Sequence, residues 1–378
     1  MLRLVATCMF GLESILGAEI DALGYKRTET IDGRVYFEGD ISAVARANIW
    51  LRSAERVFVV LGRFKASSFE ELFEGTRALP WEEYIGRDDM FPVSGHAIKS
   101  QLHSIPDCQS IVKKAIVRRL SEKYGISWFP EEKTKYPVEF FILKDEATLQ
   151  IDTSGIALHK RGYRPGILKA PLRETLASAI AKTARPREDV LFWDPFCGSG
   201  TIAIEAAMIM SNTAPGMQRS FISQTYPQIK KQIWQDAYDE AKSLQNLDSA
   251  FECYASDIDP EACEIAKENV TRAGMRKFIK VFERDALTIK TGGRRGTVVC
   301  NPPYGERLLT PEQTEDLYRK MGAHFKTLDS WQIYVLTSHP NFERLYGRRA
   351  DKVRKLYNGM IPCNLYQYFK NSNKTQRG

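Results

Sequence analysis

The C-terminal part of the chain alternates short apolar runs with amphipathic segments. Four runs have the pattern of buried strands: Val190–Trp193, Phe251–Ser256, Phe278–Phe282 and Thr297–Cys300. Ile202–Met208 is typical of a helix that follows the first of them. This alternation predicts an α/β domain built on a parallel sheet. Trp331–Thr337 predicts a further strand. Lys352–Tyr357 and Cys363–Phe369 flank Asn358-Gly359, which favours a terminal antiparallel hairpin.

The N-terminal part predicts two α+β units. Residues 1–62 give the order β-α-β-α-β, which favours a ferredoxin-like fold, with elements at Leu2–Ala6, Leu12–Ala22, Arg34–Glu38, Ile41–Leu51 and Val57–Leu61. Residues 63–165 form the second unit, with helices at Ser68–Ala78 and 111–120 and strands around Ala97–Lys99, at Val138–Leu143 and at Ala147–Asp152. The linker to the C-terminal domain, 166–378, is predicted at Tyr163–Gly166. The polar stretch 211–248 is predicted to be an insertion without a strand.

Composition excludes several classes of protein. A length of 378 residues suits two or three domains. No apolar run approaches the ~18 residues of a membrane span, and the N-terminus is interrupted too early for a signal peptide. The seven cysteines are odd in number and lack a C-x-x-C pair. We therefore expect a cytoplasmic protein without structural zinc. None of the five histidines forms a metal pair, so we expect no metal site.

The charge distribution favours a polyanionic partner. The net charge is +7 and the pI is near 8.9. Each basic cluster alone is typical of a solvated surface, but several clusters together favour nucleic acid. Two clusters supply the predicted RNA contacts: Lys113, Lys114, Arg118 and Arg119 on one helix, and Lys160, Arg161 and Arg164 near the linker. A third basic cluster lies between Arg344 and Lys355.

The segment after the first buried strand has the chemistry of a cofactor site. Strand, glycine-rich turn and helix form a nucleotide-binding unit, but the turn matches neither phosphate-binding motif. The Asp194 carboxylate argues against pyrophosphate and for a cationic ligand, which the sulfonium and amino groups of S-adenosylmethionine fit. Cys197 is better explained as a small packing residue than as a nucleophile. The predicted contacts here are Asp194, Pro195, Cys197, Gly198, Gly200 and Thr201.

Acidic residues at two later strand ends suit an adenosine. Asp257 can accept both ribose hydroxyls, and Ile258 can lie on the adenine face. Asp285, followed by Ala286, can accept the adenine amino group. Each carboxylate has an alternative role as a helix cap. Because Asp259-Pro260-Glu261 has the pattern of a cap, Asp257 is preferred for the ribose.

Asn301-Pro302-Pro303-Tyr304 follows the last buried strand and suits the binding of a planar exocyclic amine. The Asn301 side-chain oxygen can accept one N–H, and a carbonyl of the loop, that of Pro302, can accept the second. The prolines stiffen the loop and remove N–H donors. Tyr304 can stack on the base. Asn301 also borders the predicted cofactor site. The alternative is an ordinary Asn-Pro turn.

These motifs together resemble the class I methyltransferases over residues 166–378. More narrowly, the chain resembles the bacterial THUMP-domain methyltransferases of guanine N2 in large-subunit rRNA, which older names call N6-adenine-specific DNA methylases. Three segments carry the resemblance: Asp194–Thr201, Asn301–Arg307 and Leu158–Arg164. It implies a Rossmann-like catalytic sheet, a THUMP domain over 63–165, S-adenosyl-L-methionine as cofactor and 23S rRNA as partner. Adenine-N6 methylation of DNA, guanine-N2 methylation of tRNA, and RNA binding without catalysis are the alternatives.

Overall fold

The computed structural model describes residues 1–164, 172–304 and 309–369. The predicted motif residues Gly305-Glu306-Arg307 and the end of the predicted linker, Pro165-Gly166, lie outside these ranges. The described N-terminal elements are β1 (Leu2–Thr7), α1 (Glu13–Ala22), β2 (Lys26–Ile31), β3 (Arg34–Gly39), α2 (Ser42–Trp50), β4 (Arg56–Lys65), α3 (Phe69–Arg77), β5 (Val93–Ile98), α4 (Ile105–Tyr124), β6 (Val138–Leu143) and β7 (Glu146–Asp152).

These N-terminal strands form one seven-stranded sheet in the order β2-β3-β1-β4-β7-β6-β5. The first four strands and two helices have the predicted ferredoxin-like arrangement. The long strand β4 joins this part to the rest, because it pairs antiparallel with β7 from Phe58 opposite Asp152 to Lys65 opposite Glu146. The two predicted α+β units therefore share one continuous sheet.

The edge strand β2 was not predicted. Its sequence, Lys26–Ile31, is almost entirely polar, and most of its side chains are exposed. An edge strand that pairs on one side and faces solvent needs no apolar alternation, so its pattern carries no strand signal. It pairs antiparallel with β3 and completes the ferredoxin-like topology.

The C-terminal elements form a second seven-stranded sheet, ordered β10-β9-β8-β11-β12-β14-β13. Strands β8 to β12 run parallel, and the terminal hairpin adds an antiparallel edge, as predicted. The elements are α5 (Glu174–Ala184), β8 (Leu191–Asp194), α6 (Thr201–Met210), α7 (Lys231–Ser243), β9 (Cys253–Asp257), α8 (Pro260–Arg272), β10 (Ile279–Glu283), β11 (Gly296–Cys300), α9 (Pro311–Phe325), β12 (Trp331–Thr337), α10 (Phe342–Tyr346), β13 (Lys352–Asn358) and β14 (Ile361–Tyr368).

The chain divides into two compact units that do not follow its order. The first contains residues 1–8, 16–158 and 219–240, and the second contains 9–15, 159–218 and 241–378. The insertion thus belongs in part to the N-terminal unit, where the Tyr226 ring stacks on Tyr136 with centroids 4.4 Å apart. Arg46 also forms a two-pronged ion pair with Glu240, at 2.7 and 2.8 Å. As predicted, the described insertion contains no strand.

Within the described ranges, no helix combines the length and apolar character that crossing a membrane would require.

Candidate functional site

The predicted motif residues follow four neighbouring parallel strands at their carboxyl ends. Asp194 and Asp257 are the last residues of β8 and β9, while Asp285 and Asn301 follow β10 and β11. Because these strands are adjacent in the sheet, the motifs meet along one edge. Ligands of open α/β sheets bind at this edge.

The glycine-rich turn has a backbone that only glycine adopts without strain. Gly198 and Gly200 have φ angles of +48° and +79°. A Cβ on Gly200 would also lie 3.3 Å from the Ala266 Cβ. The turn is closed by a hydrogen bond from the Gly200 N–H to the Cys197 carbonyl, at 2.7 Å. Such a turn allows a ligand to approach the backbone closely at the start of α6, and contact with a cofactor stays a prediction.

Asp257 connects the glycine turn to the neighbouring strand. Its Oδ2 accepts the Gly198 N–H at 2.9 Å, and its Oδ1 accepts the Asp259 N–H at 3.2 Å. Asp259 instead caps α8 by accepting the Glu261 N–H at 2.9 Å, as its sequence pattern indicated. Ile258 is 67% exposed beside Asp257. Asp257 and Ile258 thus remain the predicted contacts for the ribose and the adenine face.

Asp285 adopts the capping role that the sequence left open. Its Oδ1 accepts the Leu287 N–H at 2.8 Å at the start of a short 3₁₀ turn. Ala286 next to it is buried. One carboxylate oxygen is used by the cap, so an adenine amino group would bind through the other.

The Asp194 carboxyl is buried, with 1% of the residue exposed. Its Oδ1 accepts the Phe196 N–H at 3.2 Å. Burial, with a smaller contribution from the charge of Asp257, raises the pKa of Asp194 well above its usual value. A buried carboxylate is costly without a cationic partner, so this position fits a positively charged ligand.

Cys197 lies in the glycine turn as a packing residue. It is 5% exposed, and burial raises the pKa of its thiol well above the ordinary value. A nucleophilic cysteine requires the opposite shift. Pro195 in the same turn is also buried. Both residues therefore shape the turn, and their direct contact with a cofactor stays a prediction.

The Asn301 loop is held by a relay of hydroxyl groups that the sequence did not reveal. The Tyr318 hydroxyl on α9 donates to the Pro303 carbonyl at 3.1 Å, and it lies 2.9 Å from the Thr337 hydroxyl at the end of β12. Because Tyr318 has one proton to donate, Thr337 donates to Tyr318 in this arrangement. Both residues are fully buried. Sequence reasoning missed Tyr318 and Thr337 because both lie fifteen or more residues from the motif along the chain.

Asn301 itself carries an unused acceptor. Its Oδ1 is buried and meets no hydrogen-bond donor among the described residues. Buried polar atoms are nearly always hydrogen-bonded, so such an orphan requires an explanation. A ligand N–H would satisfy it. The sequence-predicted role of Asn301 therefore has a matching geometric feature.

Tyr304 is fixed by the terminal hairpin. Its hydroxyl accepts a hydrogen bond from the Asn358 side-chain amide at 3.2 Å, and the Cys363 thiol lies 3.9 Å away. Burial raises the pKa of the Tyr304 phenol above its usual value, so the ring stays neutral. Stacking of this ring on a base stays a prediction.

Two of the predicted RNA contacts near the linker have side chains that form ion pairs inside the second unit. Arg161 is 2% exposed and lies 3.3 Å from the Glu205 carboxylate, so its prediction as a surface RNA contact was wrong. Arg164 pairs with Glu174 at 3.0 Å and donates to the Thr201 hydroxyl at 3.1 Å. It supports the start of α6 instead of facing a phosphate. Lys160 is exposed.

The predicted basic helix, α4, is also partly neutralised. Lys113 pairs with Glu131, and Arg119 pairs with Glu82 at 2.6 Å. Lys114 is exposed, and Arg118, although 2.8 Å from Glu122, keeps 65% of its side chain exposed. Contact with RNA stays a prediction for these residues, with Lys114 and Arg118 the best placed. Among the residues whose positions are described, no cluster of three metal-ligating side chains occurs.

Comparison with known families agrees with this architecture. Residues 161–367 match the family described as RMKL-like, methyltransferase domain. Residues 3–58 match the RlmL ferredoxin-like domain, and residues 66–152 match the THUMP domain.

Individual proteins are similar over nearly the whole chain. YpsC of Bacillus subtilis (strain 168), named as a candidate RNA methyltransferase, is 46% identical over 368 residues, covering 97% of this chain and 95% of that protein. Ribosomal RNA large subunit methyltransferase K/L of Syntrophotalea carbinolica is 32% identical over 97% of this chain, which spans only 53% of that relative. The crystal structure of SMU.472, described as a candidate methyltransferase complexed with SAH, superposes with a TM-score of 0.91 at 40% identity, covering 98% of both chains.

Proposed function

The chain belongs to the THUMP-containing RMKL-like methyltransferase family, whose cofactor is S-adenosylmethionine, and on that premise we propose that it methylates an exocyclic base amine of RNA. The preferred target is guanine N2 in large-subunit rRNA. Asn301 is the single observation that carries the choice of an amine, because its buried Oδ1 needs a donor. The THUMP domain and the names of the relatives support RNA.

The cofactor residues divide according to the groups they would hold. Asp194 and the backbone of the glycine turn suit the amino-acid portion and its positive charge. Asp257 suits the ribose, and Ile258 with Asp285 suits the adenine. S-adenosylmethionine supplies an electrophilic methyl group on a sulfonium. The residues of this chain supply the charge environment and the alignment.

The amine site can act without a general base. The guanine N2 lone pair is delocalised into the ring, which makes the nitrogen a weak nucleophile. Hydrogen bonds from its two N–H groups to Asn301 Oδ1 and to the Pro302 carbonyl favour a more pyramidal nitrogen. The nitrogen lone pair would then be available to accept the methyl group that the sulfonium supplies, and solvent would accept the proton that the amine loses. Alignment alone can supply roughly 7–11 kcal/mol.

The loop explains why the Pro302 carbonyl is the proposed second acceptor. The Pro303 carbonyl already accepts the Tyr318 hydroxyl. Pro302 and Pro303 also lack N–H groups, so the loop offers acceptors without competing donors. An adenine N6 amine has the same two donors, and adenine methylation is therefore the second candidate. The motif does not separate the two bases.

Methylation of unmodified rRNA with radiolabelled S-adenosylmethionine, followed by nucleoside analysis, tests the proposal. We expect N2-methylguanosine. N6-methyladenosine would shift the assignment to adenine, and label found only in tRNA would exclude the rRNA assignment. Failure to bind S-adenosylmethionine by calorimetry would support an RNA-binding protein without catalysis.

Asn301→Ala tests the amine contact in the same assay. We expect a loss of at least ~10²-fold in single-turnover rate, comparable to removing one preorganised catalytic hydrogen bond. Cofactor affinity should stay close to that of the wild type. Asn301→Asp is the matched variant, because a carboxylate still accepts the amine N–H, and its loss should be smaller. A rate for Asn301→Ala within a few-fold of wild type would refute the contact.

A further inference from the structure

A largely buried cation supports the glycine-rich turn. The Arg164 side chain is 11% exposed, and its guanidinium forms bonds on two sides. One nitrogen pairs with the Glu174 carboxylate at 3.0 Å, and the other donates to the Leu172 carbonyl and to the Thr201 hydroxyl, both at 3.1 Å. Because a guanidinium carries only donors, the Thr201 oxygen accepts in this contact. The residue that follows the turn is therefore bonded to a fixed positive charge.

The Thr201 hydroxyl connects this charge to the turn itself. Its oxygen lies 3.0 Å from the Ser199 hydroxyl, and either group could donate across that distance. Arg164 already donates to Thr201, which polarises the Thr201 O–H and makes it the stronger donor. Donation from Arg164 to Thr201 and from Thr201 to Ser199 is thus favoured. In this arrangement, called here the Arg164 network, the Ser199 proton is not used by any described acceptor.

Ser199 lies at the edge of the sheet where ligands of such folds bind, and its backbone is fixed. It stands between Gly198 and Gly200, and its carbonyl accepts the Asn269 side-chain amide at 3.0 Å. The residue is 8% exposed, so little of it faces solvent. A hydroxyl that is mostly removed from water gains from an acceptor for its proton. A ligand acceptor at the turn would supply one.

Helix α6 adds a preference for negative charge at this place. It starts at Thr201 directly after the turn, and its N-cap residue, Gly200, provides no side-chain cap. The first N–H groups of a helix carry partial positive charge and attract anions. S-adenosylmethionine has one anionic group, its carboxylate. The side chains proposed above for its positive charge, ribose and adenine include no partner for that carboxylate.

We propose that the Ser199 hydroxyl donates to the carboxylate of S-adenosylmethionine, and that Arg164 is a positioning residue that orients this donor through Thr201. The inference requires the cofactor, but it does not depend on which base is methylated. A hydrogen bond to an ionised group is stronger than one between neutral groups. Glu174 holds the guanidinium from its other side. The buried charge thus acts on the cofactor without touching it.

Two ligands that differ only in the carboxylate test the Ser199 contact. Decarboxylated S-adenosylmethionine keeps the sulfonium and the amino group of S-adenosylmethionine and lacks its carboxylate. We expect Ser199→Ala to raise the Kd for S-adenosylmethionine about tenfold in calorimetry, and to leave the Kd for the decarboxylated ligand within about twofold of the wild-type value. An equal loss for both ligands, or no loss for either, would overturn the contact.

The Arg164 network is tested with two variants of its middle residue. Thr201→Val removes the hydroxyl and should raise the Kd for S-adenosylmethionine about threefold, whereas Thr201→Ser keeps the hydroxyl and should retain wild-type affinity. In the Ser199→Ala background, Thr201→Val should add no further loss, because no hydroxyl is left for it to orient. Losses that multiply in the double variant would show that Thr201 acts independently of Ser199 and would overturn the network.

Arg164 and Glu174 offer a matched pair of variants. Arg164→Gln and Glu174→Gln break the same buried ion pair, so both should lower the Tm. Only Arg164→Gln also removes the guanidinium that donates to Thr201, so only this variant should weaken S-adenosylmethionine binding, by about threefold. Equal affinities of the two variants would leave Arg164 with a structural role alone. If Arg164→Gln does not fold, the affinities of the Thr201 variants decide the inference.

These binding measurements contain no RNA, which separates the inference from the proposed target. Normal S-adenosylmethionine binding by wild type, together with unaffected Ser199 and Thr201 variants, would refute the inference and leave the proposed function intact. Wild-type protein that did not bind S-adenosylmethionine would refute the proposed function and the inference together.

Discussion

Tyr318→Phe should slow methyl transfer without weakening cofactor binding. The substitution removes one hydroxyl from a fully buried ring and leaves the ring itself in the core. It breaks the 3.1 Å hydrogen bond to the Pro303 carbonyl, so the Asn301 loop loses a donor that fixes its backbone. Tyr318 does not belong to the proposed cofactor contacts. It is a positioning residue that acts through the loop.

The magnitude follows from the environment of the Pro303 carbonyl. An unsatisfied buried acceptor costs about 1–3 kcal/mol. Pro303 is only half-buried, so water can compensate in part and the lower end applies. A cost of about 1.4 kcal/mol, expressed as lost alignment in the transition state, lowers kcat about tenfold. The same loss in stability lowers Tm by only about 3–6 °C.

Single-turnover methylation of saturating RNA measures the rate, and calorimetry measures cofactor affinity. Tyr346→Phe is the matched control, because Tyr346 lies in the same core cluster but stacks on Phe342 and Tyr368 instead of reaching the loop. Thr337→Val removes the other member of the relay and should reproduce part of the effect. If Tyr318→Phe lowers the Tm as much as Tyr346→Phe does but leaves kcat at the wild-type value, the Tyr318 hydroxyl has only a structural role.

Two further predictions concern Asp194 and the division of the chain. The raised pKa of Asp194 means that the folded protein binds its proton more tightly than the unfolded chain, so its contribution to stability falls as pH rises from the unfolded to the folded pKa. Asp194→Asn should therefore raise the Tm of the cofactor-free protein at neutral pH and weaken S-adenosylmethionine binding, and a lowered Tm in differential scanning calorimetry would contradict this. Removing residues 1–165 would expose the buried Tyr226 of the insertion, because its ring stacks on Tyr136 of the removed part. We expect the fragment to aggregate in size-exclusion chromatography, and a monomeric fragment with wild-type cofactor affinity would refute that expectation.

Sequence was most informative where local backbone chemistry determines the structure. The turn around Gly198 and Gly200 requires positive φ angles. Pro302 and Pro303 in the Asn301 loop restrict φ and remove N–H donors. Such constraints act within a few residues, so the motifs and their strands could be predicted. The α/β sheet and its terminal hairpin follow from the same local patterns.

Features that depend on distant partners could not be predicted. Arg161 has the sequence context of a surface charge, yet its guanidinium meets Glu205, 44 residues away. Burial of a charge depends on whether such a partner folds next to it. The insertion belongs to the N-terminal unit because its aromatic residues meet rings such as Tyr136, and nothing in its own composition identifies that partner.

Two hydrogen bonds support the loop of residues 301–304, and under the proposed function they would help it to select an amine. Tyr318 fixes the Pro303 carbonyl from one side, and Asn358 fixes the Tyr304 hydroxyl from the other. These bonds hold Pro303 and Tyr304, while the buried Asn301 oxygen meets no donor among the described residues. A base that presented a carbonyl there would set oxygen against oxygen and leave both unsatisfied, at a cost of about 1–3 kcal/mol for each group. Under the proposed function, a base that presents an amine would satisfy the acceptor, so selectivity for amines would follow from an Asn301 oxygen that meets no donor among the described residues.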